Sequence, residues 1–330
     1  LETFESFEEV LYQVNGQSFD EIALRLFHFQ AKHNPVYSEY IRHLGVVPHS
    51  VKSPDNIPFL PVSLFRTHEV KTGKWPSQVV FTSSGTTETI SSRHAIHNLR
   101  FYLDNAARSF SFFYGDPGNY AILALLPSYV ERGGSSLIAM IEDFIIRSKT
   151  IEAGFYHNKP GDFLEALENL SKKKGKKVIV WGVTYALLDL ADERELDLSN
   201  CIVMETGGMK GRRKEITRAE LHEYLGRRLH SERIHSEYGM TELMSQAYSE
   251  GNGVFRCPPW MRVTLRDPED PRDVAAARQR GGINIIDLAN IRSCAFIETQ
   301  DLGRTGQNGN FEVLGRMDNS DIRGCNLLVE

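Results

Sequence analysis

Residues 81–88 read Phe-Thr-Ser-Ser-Gly-Thr-Thr-Glu, and they complete the apolar run Val79-Val80-Phe81. An apolar, β-branched run that stops at hydroxyl side chains gathered around a glycine reads as a strand ending in a small, donor-rich loop. Backbone N–H groups and hydroxyls crowded at a strand exit make an anion site, and phosphate is the usual biological anion there. The same residues also fit an ordinary Ser/Thr/Gly loop. The rest of the chain has to choose between the two.

From residue 78 onward, short apolar runs at 78–82, 120–126, 177–182 and 200–205 alternate with helical patterns near 95–113, 135–147, 184–192 and 217–230. That alternation predicts a parallel sheet covered by helices on both faces. Upstream, Phe4, Phe7, Val10 and Leu11, then Ile22, Leu24, Leu26 and Phe27, recur at helical spacing. A third helical stretch follows Pro35 through Tyr37, Tyr40, Ile41 and Leu44, and Pro54, Pro58 and Pro61 then favour an extended segment. After Pro258-Pro259 the pattern becomes strands and turns, at 283–288, 294–299 and 310–314. No internal repeat or low-complexity linker interrupts it. The reading is one compact α/β unit over 1–330, with a helical N-terminal segment (1–75), an α/β body (76–255) and a β-rich end piece (256–330).

The chain has 330 residues, 41% hydrophobic and 25% charged, which is ample for a packed core. A net charge of −5 argues against a nucleic-acid-binding surface. The densest basic run, Lys172-Lys173-Lys174 with Lys176-Lys177, lies between a helical pattern and a strand and reads as a solvated loop. Four cysteines show neither CxxC nor Cys/His zinc spacing. With no secretory leader and no apolar run of membrane-spanning length, the expectation is a cytoplasmic chain with reduced thiols and no membrane span.

Two familiar chemistries are missing: the GxSxG elbow of serine hydrolases and the GxxxxGK[ST] phosphate loop. Gly133-Gly134-Ser135-Ser136 reads instead as a helix start. Ser236-Glu237-Tyr238-Gly239-Met240-Thr241-Glu242 offers a flat ring, a glycine turn, a hydroxyl and a hard oxygen ligand. These suit an adenine to stack on, a phosphate and a magnesium ion, although a β-turn with an incidental acid has the same composition. Thr206-Gly207-Gly208-Met209 follows the run 200–205, where ligands enter parallel sheets. Thr299-Gln300-Asp301-Leu302-Gly303 and Gly315-Arg316-Met317-Asp318 complete the set, since an Asp at a strand end can accept from two ribose hydroxyls.

Taken in this order, the motifs resemble the adenylate-forming superfamily: acyl-CoA synthetases, amino-acid adenylation domains and firefly luciferase. The resemblance spans residues 81–324. Within the superfamily the chain looks most like the acyl-protein synthetases of bacterial bioluminescence, long-chain fatty-acid ligases that feed a reductase. The stretches that look like that branch are Phe27-His28-Phe29-Gln30, Asn34-Pro35-Val36-Tyr37, Ile57-Pro58-Phe59-Leu60-Pro61, Cys257-Pro258-Pro259-Trp260 and Arg323-Gly324-Cys325. The resemblance implies the large N-terminal domain of the adenylate-forming fold, parallel sheets flanked by helices with a small β-rich end piece. Because the chain stops at Glu330, just past the hinge motif, it also implies that the small mobile C-terminal domain is absent.

In function, the resemblance implies an ATP- and Mg2+-dependent ligase. Such an enzyme converts a carboxylic acid, fatty in this branch, to acyl-AMP and passes the acyl group to a protein thiol, with an acyl-accepting partner such as a reductase or carrier. By the same resemblance Thr82, Ser83, Ser84, Gly85, Thr86 and Thr87 cradle the phosphates, while Gly207, Gly208 and Met209 line the adenine and Tyr238 stacks on it. Thr241 touches the α-phosphate, Glu242 holds the metal, and Asp301 grips the ribose with Arg316 nearby. Cys325, beside Arg323, is either the acyl acceptor or a small buried hydrophobe.

One departure stands out. The family loop continues Thr-Thr-Gly and soon reaches a lysine, whereas here Glu88 follows Thr87 and no lysine precedes the next helix. Either Arg93 supplies the charge, or Glu88 points away, or the sequence lacks loop residues. Two other functions therefore stay open: an acid–CoA ligase working without the mobile domain, and a nucleotide- or acyl-adenylate-binding module without turnover. Cys201 and Cys294 read as core, His94 and His97 as capping or packing residues, and Phe110, Phe112, Phe113 and Tyr114 as core.

Overall fold

The computed structural model describes residues 2–83, 91–127, 133–173, 175–208, 216–267 and 280–317. The chain divides into two compact units, residues 77–255 and residues 1–76 with 256–330.

In the unit 77–255, strands Gly154–Phe155, Tyr120–Leu125, Lys177–Val183, Cys201–Thr206 and Ile234–Tyr238 lie parallel in that order, and Ala247–Ser249 closes the sheet antiparallel. Side chains alternate between its faces. One row, Leu123–Val180–Val203–Ile234, joins an aliphatic cluster with helices Pro160–Lys172, Thr184–Glu193 and Arg218–Arg228, through Phe163, Leu187 and Leu225. The adjacent row, Ala124–Trp181–Met204–His235, points the other way. There Trp181 packs 6.1 Å from Phe110 of helix Leu99–Tyr114, 6.3 Å from Phe144 of helix Ser136–Ser148 and 6.4 Å from Tyr248. Helices thus cover both faces, as the alternation predicts. Each fully buried large apolar side chain contributes about 1.5–3 kcal/mol.

Two expectations change. Val79–Thr82 does not join the parallel sheet; it pairs antiparallel with Arg93–Ile96 in a two-stranded ribbon. A parallel neighbour needs a crossover of a dozen or more residues, and only residues 83–92 separate these strands. The helix expected near 95–113 consequently starts at Leu99, where Asn98 caps it by accepting from the Phe101 N–H at 3.2 Å. Of the aromatic run, Phe110 is fully buried but Phe112, two positions on and so on the far side of the helix, is 56% exposed.

In the other unit, helices Phe4–Leu11, Phe19–His33 and Pro35–His43 accompany an antiparallel sheet ordered Phe311–Arg316, Phe296–Thr305, Arg280–Asp287, Met261–Arg266. Leu60–Pro61 adds to Phe296–Thr305 in parallel. Phe296 sits among Phe27 at 6.0 Å, Tyr37 at 6.1 Å and Phe59 at 6.4 Å. Gln30 and Asn34, both buried, explain the polar positions of the N-terminal motif. Gln30 Nε2 donates to the carbonyls of Asn290 (2.9 Å) and Ile291 (3.0 Å), and Gln30 Oε1 accepts from the Ala295 N–H at 2.9 Å. Asn34 Nδ2 donates to the Ser293 carbonyl at 2.9 Å, while Oδ1 accepts from the Tyr37 N–H at 3.1 Å and caps the third helix.

Replacing Gln30 by leucine takes this partner from three buried backbone groups, at about 1–3 kcal/mol for each group left unpaired. Urea unfolding of Gln30→Leu is therefore expected to show a midpoint shift equivalent to roughly 3 kcal/mol or more, with little change in slope. A loss below about 1 kcal/mol would refute the clamp.

Candidate functional site

The parallel strands of the unit 77–255 end at Leu125, Val183, Thr206 and Tyr238, and ligands of open α/β sheets bind outside this carboxyl edge. Gly207 follows Thr206 with φ +71°, a left-handed conformation that favours glycine and turns the chain across the edge. Thr184, first residue of the helix after the neighbouring strand, donates its hydroxyl to the Gly207 carbonyl at 3.1 Å, with a Glu205 carboxylate oxygen 3.3 Å away.

The ribbon reaches the same edge. The Thr82 N–H donates to the Gly134 carbonyl at 2.7 Å, and Gly134 (φ +80°) adopts the left-handed backbone that favours glycine, with a Cβ there 3.1 Å from Thr82 Oγ1. The Ser83 N–H donates to the Ser92 carbonyl at 3.1 Å, and the Ser92 N–H donates back to Ser83 Oγ at 3.0 Å. His94, on the partner strand and almost fully buried, places Nδ1 2.8 Å from the Thr241 carbonyl. Facing a carbonyl, that nitrogen must carry the proton. His94 thus packs, as expected, but it packs by tying the ribbon to the turn that holds Thr241.

In that turn the Leu243 N–H donates to the Met240 carbonyl at 3.1 Å. Tyr238 is buried with its ring 5.9 Å from Phe255, and the Arg218 guanidinium lies over the other aromatic, 4.9 Å from the Phe255 centroid. Glu242 is buried and Thr241 half-buried. A side chain at Gly239 would displace the Glu237 carboxyl, since a Cβ would stand 2.4 Å from Glu237 Oε1. The other oxygen of Glu237 accepts a short hydrogen bond from the Thr206 hydroxyl.

Two neighbouring carboxylates at this edge meet opposite fates. Burial works against ionised Glu205, but His222 and Arg218 beside it prevail and hold its carboxyl below the usual range. Among the described residues no such cation stands beside Glu237. Burial pushes it up to about 7, the Thr206 hydroxyl pulls down and the Glu205 charge pushes up.

Asp301 and Arg316 lie in the unit 1–76 with 256–330, as cross-strand partners with Arg316 Nε 3.7 Å from Asp301 Oδ1. The Asp301 N–H donates to Thr299 Oγ1 at 3.1 Å. Behind them Arg266 is buried and donates to the carbonyls of Ile283 (2.9 Å) and Thr299 (2.6 Å) and to Asn284 Oδ1 (2.9 Å), with Glu298 3.5 Å away. Ser84, Gly85, Thr86, Thr87, Glu88, Met209 and Cys325 lie outside the described residues. The polar residues to which sequence reading gave no role are Thr184, Glu205 and Glu237, the last of them within the stretch Ser236–Glu242. Single polar residues at strand ends carry no motif, and only the neighbouring strand gives them a partner.

The described thiols are poor nucleophiles. Burial pushes Cys294 and Cys257 up to about 12 and Cys201 to about 11. Cys294 is buried as expected, while Cys201 is half-buried against the aliphatic cluster. Among the described residues no group of three or more His, Cys, Asp or Glu side chains could hold a metal ion. Among the same residues no helix is long and apolar enough to cross a membrane.

Two outcomes are expected. Iodoacetamide at pH 7.5 leaves Cys201, Cys257 and Cys294 unlabelled in the native chain, as peptide mapping would report; modification of any of them within minutes would contradict its burial. The second outcome concerns Glu237. Unfolded chain loses this proton near 4.5 and folded chain holds it to about 7, so stability falls as pH rises through that interval and stays low above it. Glu237→Gln never ionises, so its unfolding free energy should gain on the wild type from pH 4.5 to pH 8, by an amount on the order of 3 kcal/mol. A difference that does not vary with pH would contradict the shift.

No family model matches the chain, and no curated protein does. Solved structures do. ATP-bound MatB from Rhodopseudomonas palustris matches over 72% of this chain and 47% of its own, with a TM-score of 0.53 and 16% identity. O-Succinylbenzoate coenzyme A synthetase (MenE) from Bacillus subtilis, in complex with AMP, matches over 74% of this chain and 50% of its own, with a TM-score of 0.51 and 18% identity. The chain thus spans about half the length of the structures it matches. At these identities the likeness establishes the fold, and that fold is the large N-terminal domain of the adenylate-forming enzymes.

Proposed function

We propose that this chain activates a carboxylic acid with ATP, forming acyl-AMP, and passes the acyl group to a thiol. The observation that carries the proposal is the gathering of three separate motifs at one sheet edge. The Thr82-Ser83 strand exit, the Gly207-Gly208 bend and the Tyr238–Glu242 turn are linked there through Gly134, His94 and Glu237. In support, the fold is shared with one structure holding ATP and another holding AMP. The resemblance to the acyl-protein synthetase branch adds a fatty acid as substrate and a protein thiol as acceptor.

A carboxylate must attack an α-phosphate that is itself anionic, so donors and a cation have to offset the repulsion. The carboxylate oxygen bonds to the α-phosphorus as the bond to pyrophosphate breaks. A thiolate then takes the acyl carbon and AMP leaves with the bonding pair. In this reading Thr82 to Thr87 hold the phosphates, Gly207, Gly208 and Met209 flank the adenine, Tyr238 stacks on it, and Thr241 meets the α-phosphate. Asp301 takes the ribose hydroxyls with Arg316 beside it. The hard oxygens of Thr241 and Glu242 suit magnesium, which would supply charge neutralisation and would complete its shell with phosphate oxygens and water. Cys325, beside Arg323, is the acceptor candidate that the resemblance supplies, while burial pushes the thiols of Cys201, Cys257 and Cys294 up.

ATP–pyrophosphate exchange over a panel of fatty and other acids tests the first step. Exchange with at least one acid is expected, and none with any acid would leave a nucleotide-binding module without turnover. Glu242→Gln is expected to lower exchange by about a hundredfold or more. Cys325→Ser should keep exchange but lose covalent labelling by a radiolabelled acid. Label that persists would remove Cys325, and consumption of the adenylate by coenzyme A would favour a CoA ligase.

A further inference from the structure

We infer that Glu237 is a positioning residue for the nucleotide: it fixes the Gly207-Gly208 bend against the Tyr238–Glu242 turn through the hydroxyl of Thr206. The inference rests on the proposed function, because it assigns those two segments as the walls of one nucleotide site.

Thr206 is the last residue of its strand and Glu237 the penultimate residue of the next, and the parallel register sets them side by side. One Glu237 oxygen accepts from Thr206, the residue before the bend. The other lies where a side chain at Gly239 would begin, 2.4 Å from the Cβ position. The carboxylate therefore touches both segments, and Tyr238 stands between its own backbone and Gly239. The bend has a second anchor in the Thr184 hydroxyl on the Gly207 carbonyl, whereas the Thr206 bond runs to the strand that leads into the turn.

Stability does not account for the group. A carboxyl in this buried position costs free energy that an apolar side chain of similar size would not. Among the described residues, those that face it make its ionisation harder: Glu205 is anionic, and Tyr248, its cross-strand partner, and Gln246, which packs on Gly239, bring no cation. What the carboxyl supplies is one oxygen that accepts from Thr206 and a second that packs beside Gly239.

The test measures AMP and magnesium-ATP binding to the full chain by calorimetry, with melting curves on every variant. Thr206→Val and Glu237→Ala should each weaken AMP about tenfold, the cost of a lost buried hydrogen bond to a carboxyl. Because each removes the same link, the double variant should be no weaker than the poorer single one. Glu237→Gln keeps an oxygen acceptor of the same reach and should bind within about threefold of wild type. In the exchange assay the losses should fall on KM for ATP rather than on kcat. A folded Glu237→Ala that binds AMP normally, or single effects that multiply, would overturn the inference while leaving the function reading intact. Should Glu237→Ala fail to fold, Thr206→Val decides: unchanged AMP affinity overturns the inference and a tenfold loss upholds it. Wild-type chain that binds neither nucleotide overturns the function reading and this inference with it.

Discussion

Inter-strand register is the constraint on which the candidate site depends. The aliphatic row Leu123–Val180–Val203–Ile234 must face the helices Pro160–Lys172, Thr184–Glu193 and Arg218–Arg228 to be buried. Side chains alternate, so that requirement fixes the opposite face for residues an odd number of positions along: with Val203 and Ile234 on one side, Thr206 and Glu237, three positions on, emerge together on the other. A slip of one residue would turn Glu237 into the aliphatic cluster, where nothing could receive its carboxyl. The polar edge is thus set by apolar packing several residues away.

The two faces of the sheet use different chemistry. One is aliphatic and closes by area alone. The other is aromatic and polar, with Phe110, Trp181 and Tyr248 in mutual edge and stacked contact, and it leads toward Glu237 and Thr206. Burying carboxylates at the end of such a sheet costs free energy, and each of the two is handled differently. Glu205 stays ionised because Arg218 and His222 stand beside it, whereas Glu237 is held toward its neutral form by burial. That contrast places one structural ion pair and one titrating group on adjacent strands.

The unit 1–76 with 256–330 solves another problem, that of joining the ends of the chain. Gln30 and Asn34 project from a helix and its successor's cap into the loop 290–295 and satisfy its backbone groups. Side-chain amides do this well because each carries both donors and an acceptor. The same unit buries Arg266 beneath the strand that carries Asp301, so a rigid charged centre underlies the carboxylate expected to meet the ribose.

The sequence by itself determined the α/β class, the helical start, the positions of most strands and helices, and three of the polar segments, Thr82-Ser83, Gly207-Gly208 and Tyr238–Glu242, that gather at the sheet edge. It could do so because periodicity, glycine turns and caps are local properties of the chain. It misplaced Val79–Thr82 in the parallel sheet and passed over Met261–Arg266 and Ile234–Tyr238, whose polar residues hide the apolar signal until neighbouring strands bury them. Only the tertiary structure decided that His94 meets the Thr241 carbonyl and that Thr206 meets Glu237, pairs separated by long stretches of chain. It alone showed Gln30 and Asn34 to be clamps. Hydrogen bonds between distant residues depend on register and burial, and neither is encoded in the spacing of residues along the chain.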